Sequence, residues 1–306
     1  MTWESSHPQV AAASGTGLIT AAGVGTALIT ASLDSLSSTV SAIVGDPGRI
    51  AFTTFHAAQD GEIYVMEADG FDTERLTVDP GFDGHPTWSP DRTKIAWTVG
   101  GEAQSEIYVM DADGLNLLNL TRSPLQDEWP AWSPDGTRIA FVTNRDGNSE
   151  IYVMDADGLD QRNLTRHPEA DLQPEWSPDG TRIAFISGRA QGIHVMDADG
   201  SNTVLLSGEQ AATFAWSPDG RRIAFGTLSD GSGEIHVMDA DGSNVVNLTN
   251  HPSDDSDPSW SLDGTKIAFA STRAGNVEIF VMDADGSNPT QLTSDPRDSG
   301  MPSWWR

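Results

Sequence analysis

The sequence predicts an all-β protein: a six-bladed β-propeller of four-stranded antiparallel blades, preceded by a short N-terminal helix. Three observations carry this. First, Trp-Ser-Pro-Asp recurs at Trp88, Trp132, Trp176 and Trp216, returns as Trp-Ser-Leu-Asp at Trp260 and fades to Trp304-Trp305; the spacings are 44, 44, 40, 44 and 44 residues. A period of about 40–45 residues marks a propeller array. Second, Ile-Ala-Phe or Ile-Ala-Trp begins at Ile50, Ile95, Ile139, Ile183, Ile223 and Ile267, and another apolar run begins at Ile63, Ile107, Ile151, Ile193, Ile235 and Ile279, so both counts give six units. Third, the runs are punctuated by Asp-Gly, as at Asp135-Gly136 and Asp157-Gly158. Glycine tolerates the positive φ of a tight turn, which makes Asp-Gly a strong hairpin signal.

Taken in order, the first element is residues 1–48, whose composition is dominated by Ala, Ser, Thr and Gly. Ile19, Ala22, Thr26, Ile29, Leu33, Leu36, Val40 and Ile43 follow alternating steps of three and four. That heptad seam predicts a helix from about Thr16 to Val44, ended by Gly45, Asp46 and Pro47. Three roles are open for the segment: a secretory leader, a disordered tail, or a helix that packs on the propeller or on copies of itself.

Residues 49–306 form the second domain. One unit reads Pro130-Ala-Trp132-Ser-Pro-Asp-Gly136, Arg138 to Val142, Glu150 to Met154, Asp155-Ala-Asp-Gly158, and Arg162 to Thr165. These are four short strands, A to D from the inside out, separated by turn chemistry. The first unit starts at strand B, and Pro302-Ser-Trp-Trp305 is a spare A-like piece. The C-terminal strand is therefore expected to close the ring as the innermost strand of blade 1, removing an open edge. The Trp of strand A is expected to pack between blades, beside the small residues Thr87, Ala131, Ala215, Ser259 and Ser303. Glu175 breaks that series and reads as a solvated channel residue.

Composition excludes some functions. The chain has 17 basic and 45 acidic residues, net charge −28, and no cysteine. A nucleic-acid binder needs basic patches against phosphate, so none is expected, and an anionic membrane surface is disfavoured except through residues 1–48. Without cysteine there are neither disulfides nor thiolate metal sites.

The string P-x-W-S-P-D-G-x-x-I-A-F, then I-Y-V-M-D-A-D-G, then L-T, resembles the TolB-type β-propeller repeat, also called PD40 or WD40-like. It covers roughly Arg49 to Arg306. The resemblance implies a six-bladed ring. It also brings two precedents: periplasmic members act as binding partners in an envelope complex, and similar rings gate some large serine peptidases. Residues 1–48 are too few for the N-terminal α/β domain of TolB proper. No hydrolase domain follows Arg306, and no G-x-S-x-G nucleophile elbow occurs. A propeller without a recognised catalytic appendage is the expectation.

Strand order puts every Ser-Pro-Asp-Gly and Asp-Ala-Asp-Gly turn at one end of the ring, and their near-identity says that they serve the fold. At the other end the units differ. The residue three before each Trp reads His85, Trp129, Gln173, Thr213, Asp257 and Met301, and the residue before Trp129 is Glu128. Variation on a constant scaffold is where specificity is written. His85, Glu128, Trp129, Gln173, Thr213, Asp257 and Met301 are thus the expected partner-binding residues, with Trp129 as an exposed aromatic anchor.

Catalytic and metal readings compete with that one. Asp127, Glu128, Asp257 and His85 are the groups an enzyme would use at the channel axis, and Asp127, Glu128, Asp255 and Asp257 are the candidate metal ligands. The Asp recurring five before Trp, also at Asp83 and Asp171, favours a loop-fixing role. Asp-x-Asp-Gly looks like the start of a calcium loop, yet the Gly arrives at the fourth position and no bidentate Glu follows, so calcium is the only cofactor considered and a hairpin is the simpler reading. Asn-Leu-Thr at Asn119, Asn163 and Asn247 matches a glycosylation sequon but reads better as strand D. His167 and His251 read as loop residues after strand D; His194 and His236, which replace Tyr, read as strand residues. The expected function is a non-enzymatic periplasmic or extracellular propeller that binds a protein partner or itself. The alternative is a small carbohydrate lyase or hydrolase.

Overall fold

A computed structural model describes residues 2–5, 11–16, 18–21, 25–33, 36–44, 48–57, 60–101, 104–189, 192–208, 210–227 and 232–305. The chain divides into two compact units, Met1–Arg49 with Met66–Thr73, and Ile50–Val65 with Glu74–Arg306.

The larger unit is a six-bladed propeller. Blade 2 shows the plan: β9 (Phe82–Trp88), β10 (Lys94–Gly101), β11 (Gln104–Asp111) and β12 (Leu118–Asn119) pair antiparallel in chain order. Four further four-stranded sheets repeat it, with innermost strands β13 (Asp127–Trp132), β17 (Asp171–Trp176), β21 (Ala211–Trp216) and β25 (Asp255–Trp260). In blade 1, β29 (Ser299–Trp304) pairs with β6 (Arg49–Ala57), followed by β7 (Asp60–Glu67) and β8 (Glu74–Arg75). The C-terminal strand thus occupies the innermost place of blade 1. Innermost strands touch in sequence around the axis, β25 against β29 and β29 against β9, so the ring is closed. Trp304, 3% exposed, anchors the closure, and its backbone N–H donates to Ser259 Oγ at 2.9 Å.

The Trp residues pack between blades. Trp176 joins Val142, Ile151 and Val153 of blade 3 to Ile183, Phe185 and Met196 of blade 4. Trp216 and Trp260 do the same at the next two interfaces. Each apolar strand face therefore buries against its neighbour, which is how blades without a sandwich partner gain a core.

Turn chemistry explains the constant motifs. Asp135 Oδ1 accepts from Ser133 Oγ (2.6 Å), Thr137 Oγ1 (2.8 Å) and Thr137 N (3.0 Å). Those donors, Ser133 first, pull its carboxyl down to about 2. At the same end Ala156 N donates to Thr137 O, tying the C–D turn to the A–B turn. Gly158 has φ 87°, and a Cβ there would lie 2.6 Å from Leu120 O of the preceding blade. Asp-Ala-Asp-Gly is thus a turn and an interblade contact together. Asn-Leu-Thr is where strand D ends: its Asn is the strand's last residue, and Asn163 Oδ1 accepts from Thr165 N and Arg166 N, which Asn119 and Asn247 repeat. His167 and His251 lie in loops, each accepting a backbone N–H on Nδ1, whereas His194 and His236 stack on Phe185 and Phe225.

The expected N-terminal helix is not formed; among the described residues there is no helix. The smaller unit holds β1 (Thr2–Ser5), β2 (Ala11–Ala13), β3 (Ile19–Ala21), β4 (Gly25–Leu33) and β5 (Leu36–Val44). β1, β4 and β5 form one sheet in that order, and β2 pairs with β3. In the β4–β5 register Ile29 faces Val40 and Leu33 faces Leu36. The seam residues Leu33 and Leu36, Ile29 and Val40, and Thr26 and Ile43 are cross-strand partners, so a hairpin produces the same pattern as heptad steps. Apart from Leu28, β4 alternates (Ala27, Ile29, Ala31, Leu33 against Thr26, Thr30, Ser32), and this and the Thr and Val content suit a strand better than a helix. The expected helix stop, Gly45-Asp46-Pro47, lies outside the described residues, as do Ala22 and Arg306.

Candidate binding site at the channel mouth

His85, Trp129, Gln173, Thr213, Asp257 and Met301, one from each blade, line a single axial cavity of about 560 Å³. Their placement has a backbone cause. In five blades the variable residue and the Pro after it together oppose one residue of strand B, a β-bulge; the register jumps between Glu128 and Ala131, for example. The variable residue then adopts a left-handed conformation: φ is 53° at His85, 51° at Trp129 and Gln173, 52° at Asp257 and 54° at Met301. A non-glycine residue there costs about 1–3 kcal/mol, and such residues cluster at ligand sites. Two bulges are tied to the preceding blade: Trp129 N donates to Thr98 Oγ1 (3.2 Å) and Asp257 N to Thr213 Oγ1 (3.0 Å). Blade 5 differs. Phe214 replaces the Pro, and the irregularity falls between Ala211 and Thr213.

The mouth is electrostatically unlike the rest of the ring. His85 packs between Phe82 and Trp129, with ring centroids 5.7 Å and 5.2 Å away. Burial pushes its imidazole down to about 3, so it is neutral. Burial also raises the Asp257 carboxyl above the ordinary carboxylate range. His85 Nδ1, Trp129 Nε1 and Gln173 Oε1 are buried without a hydrogen-bond partner, on three successive blades. Deeper in the channel, Glu175 accepts from Trp216 N at 3.3 Å through both carboxylate oxygens.

The chain matches the TolB beta propeller domain over residues 206–305 and the Tricorn protease N-terminal beta propeller domain over residues 115–229. Over residues 206–305 the repeats match the TolB, or PD40, model. The ring is similar to TolB from Acinetobacter baumannii, with a TM-score of 0.74 at 22% identity, covering 92% of this chain and 79% of that one. It is similar to a putative TolB from Agrobacterium tumefaciens, with a TM-score of 0.66 at 24% identity, covering 83% and 91%. The Kuenenia stuttgartiensis hydrazine synthase is a third structural neighbour (TM-score 0.71, 14% identity, 85% and 47% covered). At these identities the likeness shows the fold. No curated protein matches the chain.

The candidate chemical groups of the ring are not brought together. Asp127, Asp171 and Asp255 are fully buried inside their blades, paired with Arg145, Arg189 and Arg273 at 3.1, 2.6 and 2.8 Å. Glu128 accepts from Ser105 Oγ at 3.0 Å and does not line the cavity. Of the enzyme and metal candidates, only His85 and Asp257 reach the channel. Among the described residues no group of three or more His, Cys, Asp or Glu side chains has metal-binding geometry. Trp129 is half-buried, where an exposed anchor was expected. Phe214, Arg92 and Leu262 also line the cavity. Phe214 and Leu262 were readable as substitutions for Pro in otherwise constant motifs.

Asp83 shows how tightly the blade interior is specified. It is the blade 2 counterpart of Asp127, but Gly101 stands where Arg145 would be. Trp97 replaces the usual Phe and donates Nε1–H to Asp83 Oδ1 at 3.0 Å. Neutral donors, Trp97 and Thr77, do not replace a guanidinium, and burial pushes Asp83 up to about 6.

Proposed function

We propose that this chain is a non-enzymatic propeller that binds a protein partner across its channel mouth, outside the cytoplasm. One observation carries the reading: the positions that differ between otherwise repeating blades converge on one cavity, five of the six held there by the same bulged, left-handed backbone. The periplasmic setting is supported by the TolB-type repeats and the absence of cysteine. A photo-crosslinker at Gln173 should trap a discrete partner in extracts of the native host, while the same group at Asp157, at the opposite end, should not. Equal labelling from both positions would remove the mouth as the binding surface.

Self-association is a second reading, favoured by the smaller unit. β5 is an edge strand of nine residues with no charged side chain, and unguarded edges pair with other strands. Light scattering of the full chain should show a multimer that Ser37→Lys with Ser41→Lys dissociates; a monomeric parent chain would eliminate this mode.

A further inference from the structure

We infer that the channel mouth receives a basic side chain, an Arg guanidinium or a Lys ammonium, presented by the protein partner. This deepens the reading of the mouth as a partner-binding surface and rests on it. The argument begins with Asp257. The three carboxylates buried inside blades 3, 4 and 6 each have an arginine. Asp257 has none: its neighbours are Ser256 Oγ, donating at 3.1 Å, and a backbone donor at Met301. The five equivalent positions hold His85, Trp129, Gln173, Thr213 and Met301, none of which brings a cation, because the imidazole is kept neutral. A desolvated carboxylate without a counter-ion is costly, and that cost is recovered when a cation enters.

The walls suit the same ligand. Trp129 lies on the blade opposite Asp257, His85 packs beside it, and Phe214 lines the cavity from blade 5. Aromatic faces attract cations, Arg above all, by cation–π contact and stacking. The Glu175 carboxylate lies further along the channel. A net charge of −28 steers a basic group toward the ring from a distance. A neutral or acidic side chain would leave Asp257 uncompensated.

The test uses the full chain and two short peptides, acetyl-Gly-Arg-Gly-amide and its citrulline isostere, followed by tryptophan fluorescence and NMR. The arginine peptide should bind saturably and weaken as salt is raised. Losing one charge-assisted contact costs roughly tenfold or more, so citrulline on the parent chain, and Asp257→Asn with arginine, should each bind at least that much more weakly. The citrulline comparison needs no variant to fold. Equal binding of the two peptides, or no saturable binding of the arginine peptide, overturns the inference. If the Gln173 crosslink persists while the arginine peptide fails to bind, only the cation is lost. If that crosslink fails as well, the mouth reading falls with it.

Discussion

The two ends of the ring solve different problems with the same kinds of residue. At the turn end, aspartates are consumed by local geometry: Asp135, Asp179 and Asp219 each accept from a Ser two residues earlier, and that bond holds each carboxyl below its ordinary range. At the mouth, Asp257 is raised by burial and three neighbouring polar atoms lack partners. Repetition marks the end where most acids are bonded within their own turns and hairpins. Variation marks the end where Asp257, unlike the buried Asp127, Asp171 and Asp255, has no arginine. Stability should therefore depend on the first end and on the interblade seams, and binding on the second.

The largest effect should come from the seams. Trp216 is fully buried between blades 4 and 5, and Trp216→Ala should cost about 3–5 kcal/mol, read by denaturant unfolding. Removing Met301 to Arg306 should lower the melting temperature further, because it strips β6 of its inner neighbour along with Trp304. An unchanged melting temperature would rule out closure by this strand. Next comes Asp83. Its carboxyl ionises near its ordinary 3.8 in the unfolded chain and about 6 in the fold, so the fold is penalised as pH climbs through that window. The parent chain should lose up to about 3 kcal/mol between pH 4 and 7 from this group, and Asp83→Asn should remove that slope. The smallest effect belongs to the mouth: Gln173→Gly relieves a left-handed residue and an unpaired Oε1 and should leave stability within about 1 kcal/mol of the parent, or raise it. A loss of several kcal/mol there would show that the mouth serves the fold after all.

The propeller was legible because each blade repeats the same demands: a Trp for the seam, Asp-Gly for the turns, alternating apolar strands. The N-terminal sheet was not. Cross-strand pairs such as Ile29 with Val40 copy the spacing of a heptad seam, and a short Ala/Ser/Thr-rich segment has too few large side chains to tell the two periods apart. The mouth residues were legible as a ring, since each stands three before a Trp. Their backbone was not, because a left-handed Trp or Met before Pro contradicts local preference and is imposed by the bulge. Asp127 and Asp255 were placed at the channel although a signal against that was present: Asp127–Arg145, Asp171–Arg189 and Asp255–Arg273 share a spacing of 18 residues. An acid and a base recurring together across blades mark an internal pair.

The division of labour between the two ends is tested most directly by measuring melting temperature and Gln173-directed crosslinking in parallel for two double variants. Met301→Gln with Asp257→Asn should keep the melting temperature and lose the crosslinked partner. Asp135→Ala with Asp157→Ala should lower the melting temperature and keep the partner. The opposite pattern, with stability lost at the mouth and binding lost at the turns, would contradict the account.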